Sequence, residues 1–201
     1  YGMTPTAYLE SLGVLGPEVL AAHCVWLSPQ DIEIMAKHNV KAVHNINSNL
    51  KLASGYKFKY QEMKDAGVTV CIGTDGAASS NNLDMLESMK TSALLQKAWR
   101  KDPKAMPLNE LMDCATVNGA KALRLNTGVI APGYAADLCL VDVDNYAFIP
   151  NINFLANLIY SANSSCIETV ICNGKVVMNG RKVEGEREIY ENVNRVFRKL
   201  L

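Results

Sequence analysis

The sequence lacks an excess of charge, paired cysteines, paired histidines and any long apolar run. Twenty Lys and Arg balance twenty Asp and Glu over 201 residues, and no basic or acidic block stands out. That argues against a protein that finds nucleic acid or a membrane surface by charge. The six cysteines, at 24, 71, 114, 139, 166 and 172, form no C-x-x-C pair. A structural zinc site needs tighter spacing, so they read as small buried hydrophobes in a reducing cytosol. No membrane-length apolar run is present, and the expectation is a soluble, cytoplasmic protein without a secretory leader and with no nucleic-acid or membrane partner. The three histidines, 23, 38 and 44, make no H-x-H and no H-x-x-E. The local pairs that often hold a catalytic metal are therefore missing.

What is present is a core-forming composition. Hydrophobic residues make up 49% of the chain, enough for one large domain or one and a half small ones. Over the first two-thirds, short apolar runs alternate with helical patterns. Leu20 to Cys24, Val40 to His44 and Val68 to Ile72 read as buried strands. Ser28-Pro-Gln-Asp31 reads as a helix start, with Ile32, Ile34 and Met35 following to about Lys37. A polar loop is expected around Asn47 to Gly55, then a helix from Tyr60 to Ala66 closed by Gly67. Asn81 to Asp84 caps a longer helix to about Trp99, with Leu83, Leu86, Met89, Leu94 and Leu95 as its apolar side. Pro107 to Leu123 holds one or two more helices. This alternation predicts parallel β-α units.

The pattern changes near Gly128. Leu138 to Val143 reads as a strand. Ile167 to Cys172 and Lys175 to Met178 flank Asn173-Gly174, a hairpin signature. A final strand turn spans Gly180 to Val183. An amphipathic helix follows from about 187, with Ile189, Val193, Val196, Phe197 and Leu200 on one side.

Three polar residues fall at strand ends: His23, His44 and Asp75. An (α/β) barrel builds its site at that end of its strands. Taken singly they are weak signals. A lone strand-end His more often serves structure, Gly73-Thr-Asp-Gly76 is good turn chemistry, His44-Asn45 is weaker still, and His38 reads as a helix-end surface residue. Together, on consecutive β-α units, Asp75 can ligate a divalent metal and accept a proton from its water. His23 can hydrogen-bond the hydroxide or the leaving group. One carboxylate and one imidazole do not hold a metal by themselves, so the site is incomplete on these residues.

Ordered along the chain are Ala22-His23-Cys24-Val25, Val43-His44-Asn45 with Ser48 to Gly55, Gly73-Thr74-Asp75-Gly76-Ala77 with Ser80 to Met85, and Ala93 to Lys97. A tail of Gly-x-Ile-x-x-Gly-x-x-Ala-Asp137-Leu and Val170-Ile-Cys-Asn-Gly174 follows. In this order they resemble the amidohydrolase superfamily, in the branch of 5-methylthioadenosine/S-adenosylhomocysteine deaminases and triazine chlorohydrolases. The resemblance covers essentially the whole chain. It implies an α/β fold: the C-terminal half of a metal-dependent hydrolase TIM barrel plus part of a small composite β-sandwich. Residues 1–127 would be the last barrel strands and helices, 128–185 part of the small β-domain, and 186–201 a C-terminal helix. Asp75 matches the eighth-strand metal ligand, and His23 the sixth-strand His that polarises hydroxide and substrate. Trp26 stands where many members carry His, at the pocket border. His23, Trp26 and Asp75 are thus the expected substrate contacts, with Asp75 and His23 catalytic.

The implied cofactor is one zinc (or iron) ion per site. The implied reaction is hydrolytic deamination of a purine-like ring such as methylthioadenosine or S-adenosylhomocysteine. A chlorohydrolase or guanine-type deaminase is the alternative, as is a non-catalytic piece that only complements another half. The H-x-H, the fifth-strand His and its Glu have no counterpart here. The expectation is a fragment of a longer, homo-oligomeric protein acting on a purine nucleoside or triazine-like small molecule.

Overall fold

The computed structural model describes residues 2–200. Three strands, β1 (Leu20–Ala22), β2 (Lys41–His44) and β3 (Val70–Ile72), form a parallel sheet in the order β1-β2-β3. Parallel neighbours need crossovers, and helices supply them. Helix α1 (Pro5–Ser11) precedes β1, α2 (Pro29–Lys37) joins β1 to β2, and α3 (Ile46–Lys51) and α4 (Tyr60–Asp65) join β2 to β3. After β3 come α5 (Ala77–Ser80), α6 (Met85–Arg100), α7 (Leu108–Ala115) and α8 (Val117–Leu123).

The start of α2 follows from its sequence. The Ser28 side chain accepts the Asp31 N–H, the Asp31 side chain accepts the Ser28 N–H, and Pro29 sits in the first turn. By register, Ala21, Ala42 and Val70 share one face of the sheet. That face joins a core with Ile32, Met35, Phe58, Met63, Met89 and Leu111. The strands are shorter than the apolar runs suggest. Leu20 and Ala22 are exposed, so β1 is not a fully buried strand. The His23 N–H still donates to the Val43 carbonyl at 2.9 Å, and the chain then turns out of the sheet, with φ of 70° at His23 and 50° at Cys24.

Two helices differ from expectation. The Asn47 to Gly55 segment is not all loop, because α3 occupies its first half. Asn and Ser are poor helix formers, and this helix is held instead by the burial of Ile46, Ser48 and Asn49. On α6 the expected apolar side is buried only in part: Met89 is buried and Leu86 packs on the core, while Leu94, like Leu83 just before the helix, is exposed. The rest of the buried face is Ser88, Ser92, Ala93 and Gln96. Small residues let α6 lie close, and the polar groups are satisfied locally. Ser92 Oγ donates to the Ser88 carbonyl at 2.7 Å, and Gln96 Nε2 donates to the Phe58 carbonyl at 2.7 Å.

The second sheet is antiparallel. It contains β4 (Leu138–Val141), β5 (Ile167–Cys172) and β6 (Lys175–Met178) in the order β4-β5-β6. Asn173 and Gly174 turn the hairpin with φ of 47° and 76°, the left-handed pair that a two-residue turn requires. Between β4 and β5 lie 3-10 turns (Tyr146–Phe148 and Ser164–Cys166), α9 (Phe154–Ala156) and a π turn (Asn157–Ser161). Cys24, Cys71, Cys114 and Cys166 are buried as expected, but Cys139 and Cys172 are exposed on this sheet. The last helix, α10 (Glu186–Phe197), has no buried residue. Among the described residues, no helix is long and apolar enough to cross a membrane.

Candidate active site

β1 and β3 flank β2, so their tips lie roughly 10 Å apart by ordinary strand spacing. His23 and Asp75 nevertheless meet across the tip of β2, with His23 Nε2 3.9 Å from Asp75 Oδ2. Both residues have left-handed backbone, φ 70° and 62°. Side chains with a Cβ adopt that region at a cost, and such residues cluster at functional sites. The chain approaches Asp75 through Gly73, where no side chain fits. A Cβ there would lie 2.5 Å from Asn45 Oδ1 and 2.9 Å from Val43 Cγ1. The Asp75 carboxylate accepts the Gly76 N–H at 2.8 Å. Its pKa is held below the usual carboxylate value, chiefly by the neighbouring Ser48 hydroxyl, then by Ser79 and the Gly76 N–H. Ser48 Oγ is buried, but its contact with Asp75 falls short of a well-formed hydrogen bond.

His23 is anchored from its other side. Its Nδ1 lies 3.4 Å from Asn49 Oδ1, and Asn49 Nδ2 donates to Ser54 Oγ at 2.9 Å. The sequence alone does not assign these two side chains a role, although both lie in the Ser48 to Gly55 segment. The signal that points to them is a cluster of polar residues just past a strand tip. Trp26 is 82% exposed, and its Nε1 donates to the Ser54 carbonyl at 2.8 Å. With Val25, Asn49, Leu50, Gly55 and Tyr56 it lines an open cleft of about 520 Å³. Gly55 lets the loop pass under the indole, since a Cβ there would touch the ring at 3.2 Å. Asn49 lines the cleft and also contacts His23, but neither His23 nor Asp75 lines it.

Two other candidates point elsewhere. His44 is wholly buried and stacks on Phe58 with ring centroids 4.0 Å apart. Burial pushes its pKa down to about 3, and neither ring nitrogen has a partner. It is a neutral core residue although it ends a strand. His38 caps the end of α2, with Nε2 2.9 Å from Glu10 Oε1. Cys24, beside His23, is no nucleophile: its thiol donates to the Ala21 carbonyl at 3.2 Å, and burial pushes its pKa up to about 12.

Among the described residues no three His, Cys, Asp or Glu side chains converge to hold a metal ion. A catalytic zinc takes about three protein ligands. The carboxylate and imidazole at the strand tips do not by themselves fit a complete zinc site.

Several known proteins resemble this chain. It is 49% identical over 150 residues to the 5'-deoxyadenosine deaminase of Methanococcoides burtonii, covering 75% of this chain and 34% of that protein. It is 49% identical over 142 residues to the 5-methylthioadenosine/S-adenosylhomocysteine deaminase of Thermococcus kodakarensis, covering 71% and 33%. It superposes on a zinc-bound adenosine deaminase from Xanthomonas campestris with a TM-score of 0.92 at 34% identity, over 97% of this chain and 45% of that one. Atrazine chlorohydrolase from Arthrobacter aurescens, complexed with zinc, gives 0.89 at 28% identity, over 96% and 44%. The chain thus spans about a third of the length of the curated relatives it matches. Residues 1–177 match the amidohydrolase family, and the chain belongs to that family.

Proposed function

We propose that this chain supplies His23 and Asp75 to the site of a metal-dependent aminohydrolase. The substrate class is an adenosine-like nucleoside whose exocyclic amine is replaced by oxygen, with release of ammonia. The observation that carries the reading is the approach of His23 Nε2 to Asp75 Oδ2 across the tip of β2. Each residue is turned there by a left-handed backbone step. The deaminase names of relatives at 49% identity support the substrate class.

In this reading Asp75 is one metal ligand and also the group that takes a proton from the attacking water. General acid–base transfer of this kind is worth on the order of a hundred- to ten-thousand-fold. A carboxylate with a lowered pKa suits a ligand that stays ionised at neutral pH. His23 hydrogen-bonds the attacking oxygen and the substrate, and Trp26 lines the neighbouring cleft. A zinc or iron ion held in part by Asp75 would need further ligands beyond His23 and Asp75, and would supply a polarised water. Residues 1–127 are then the last strands and helices of a (β/α) barrel, 128–185 part of a small β-domain, and 186–201 a C-terminal helix. The whole protein is a cytoplasmic homo-oligomer.

The test is a product screen on a complete protein containing this chain. Ammonia release from 5'-deoxyadenosine, methylthioadenosine or S-adenosylhomocysteine supports the reading. Chloride release from a chlorotriazine with no ammonia from any nucleoside replaces it with the chlorohydrolase reading. No turnover of either class by a metal-loaded protein overturns both.

A further inference from the structure

Asn49 is not accounted for by the proposed chemistry, yet its side-chain contacts lead to the site. It is buried on α3, and its side chain is held beside the imidazole: Nδ2 donates to Ser54 Oγ at 2.9 Å. Ser54 is held in turn, because its N–H donates to the Asn49 carbonyl at 3.0 Å. The amide oxygen is left to face His23 Nδ1 at 3.4 Å. We infer that Asn49 is a positioning residue that keeps the His23 proton on Nδ1 and leaves Nε2 as a bare acceptor facing Asp75. The inference rests on the reading of His23 as a site residue.

The chemistry is one of donors and acceptors. A carboxamide oxygen only accepts, so the ring nitrogen opposite it must donate. Neutral imidazole carries a single N–H, and placing it on Nδ1 leaves the lone pair on Nε2. An unrestrained imidazole samples both tautomers. Here Nε2 lies 3.9 Å from Asp75 Oδ2, and two acceptors face one another. A water seated against both donates a proton to each, and its oxygen lone pairs then point away from the protein toward an electrophilic carbon. With the proton on Nε2 instead, the imidazole would bond the water oxygen or the carboxylate and occupy those electrons. A hydrogen bond to one ring nitrogen commonly decides what the other can do.

The experiment reads the tautomer without turnover. The sequence has only three histidines, so long-range proton–nitrogen NMR of the ¹⁵N-histidine-labelled chain at alkaline pH resolves each ring. His23 is expected to show a protonated Nδ1 and a bare Nε2. Asn49→Leu removes the acceptor and is expected to give mixed tautomers. Asn49→Asp, which still accepts, restores the Nδ1–H form. Unchanged His38 and His44 signals report an intact fold. Should Asn49→Leu not fold, Ser54→Ala frees the amide to rotate and is expected to weaken the same bias. A wild-type His23 with its proton on Nε2 or shared between nitrogens overturns the inference. So does a folded Asn49→Leu chain with an unaltered Nδ1–H. A fixed Nδ1–H in a protein that turns over no nucleoside upholds the Asn49 assignment and overturns the aminohydrolase reading, so the two failures are distinguishable.

Discussion

Acid should destabilise this fold through His44, by an amount that follows from its surroundings. The imidazole is fully buried, stacked on Phe58, and has no hydrogen-bond partner on either nitrogen. Burial pushes its pKa down to about 3, whereas a histidine in an unfolded chain titrates near 6.5. The unfolded state therefore takes up a proton first as pH falls. Stability from the neutral ring is complete above about pH 6.5, is lost steadily below it, and is gone near pH 3. Between pH 7 and pH 5 the expected loss is about 2 kcal/mol, and over the whole window it approaches about 5 kcal/mol. A domain has only about 5–15 kcal/mol in total.

The assay is urea unfolding of wild type and His44→Leu at several pH values. The difference between the two cancels the other titrating groups. Because neither ring nitrogen is bonded, the leucine leaves no orphaned partner and should hold stability at pH 8 to within about 1.5 kcal/mol. It should then gain about 2 kcal/mol on wild type by pH 5. Identical pH dependence of the two chains would mean that burial does not hold His44 neutral in the folded state.

Three further outcomes are expected. The 201-residue chain should bind zinc weakly, because no three-donor cluster exists among its described residues; tight stoichiometric zinc, lost in Asp75→Ala, would show the ligands to be misassigned. Gly73→Ala should cost roughly 1–3 kcal/mol in urea unfolding, since its Cβ would lie 2.5 Å from Asn45 Oδ1, and a neutral effect would mean that the β3 tip yields freely. The chain should associate or bind a hydrophobic dye, because Val176, Val177, Ile189, Val193 and Phe197 are all 47–60% exposed; sedimentation as a compact monomer without dye binding would contradict this.

Much of the architecture is legible in the sequence because short-range physics specifies it. The Ser28-Pro29-Asp31 cap, the Asn173-Gly174 turn and the three parallel strands each follow from local residue chemistry or apolar runs. Helix α3 is not legible, since Asn47, Ser48 and Asn49 signal a loop and only tertiary burial makes them helical. The buried face of α6 is hidden for a related reason. Its serines and Gln96 are satisfied by bonds that sequence spacing does not reveal, including the long-range one to the Phe58 carbonyl.

At the strand tips, sequence places His23, His44 and Asp75 alike at the ends of apolar runs. The structure separates them: His23 and Asp75 meet, while His44 enters the core beside Phe58. Alternation along β2 puts His44 on the same side as the buried Ala42. The amphipathic pattern of α10 is equally plain in the sequence. What its apolar side packs against is not, and among the described residues nothing buries it.

Asp75→Asn in a complete, metal-loaded protein shows whether Asp75 belongs to an aminohydrolase site. The substitution keeps the size of the side chain and removes its charge and its capacity to take a proton. Ammonia release from the best nucleoside substrate is expected to fall by on the order of a hundred- to ten-thousand-fold, with the fold retained by circular dichroism. Retention of more than about a tenth of the wild-type rate would contradict a proton-transfer role of that size.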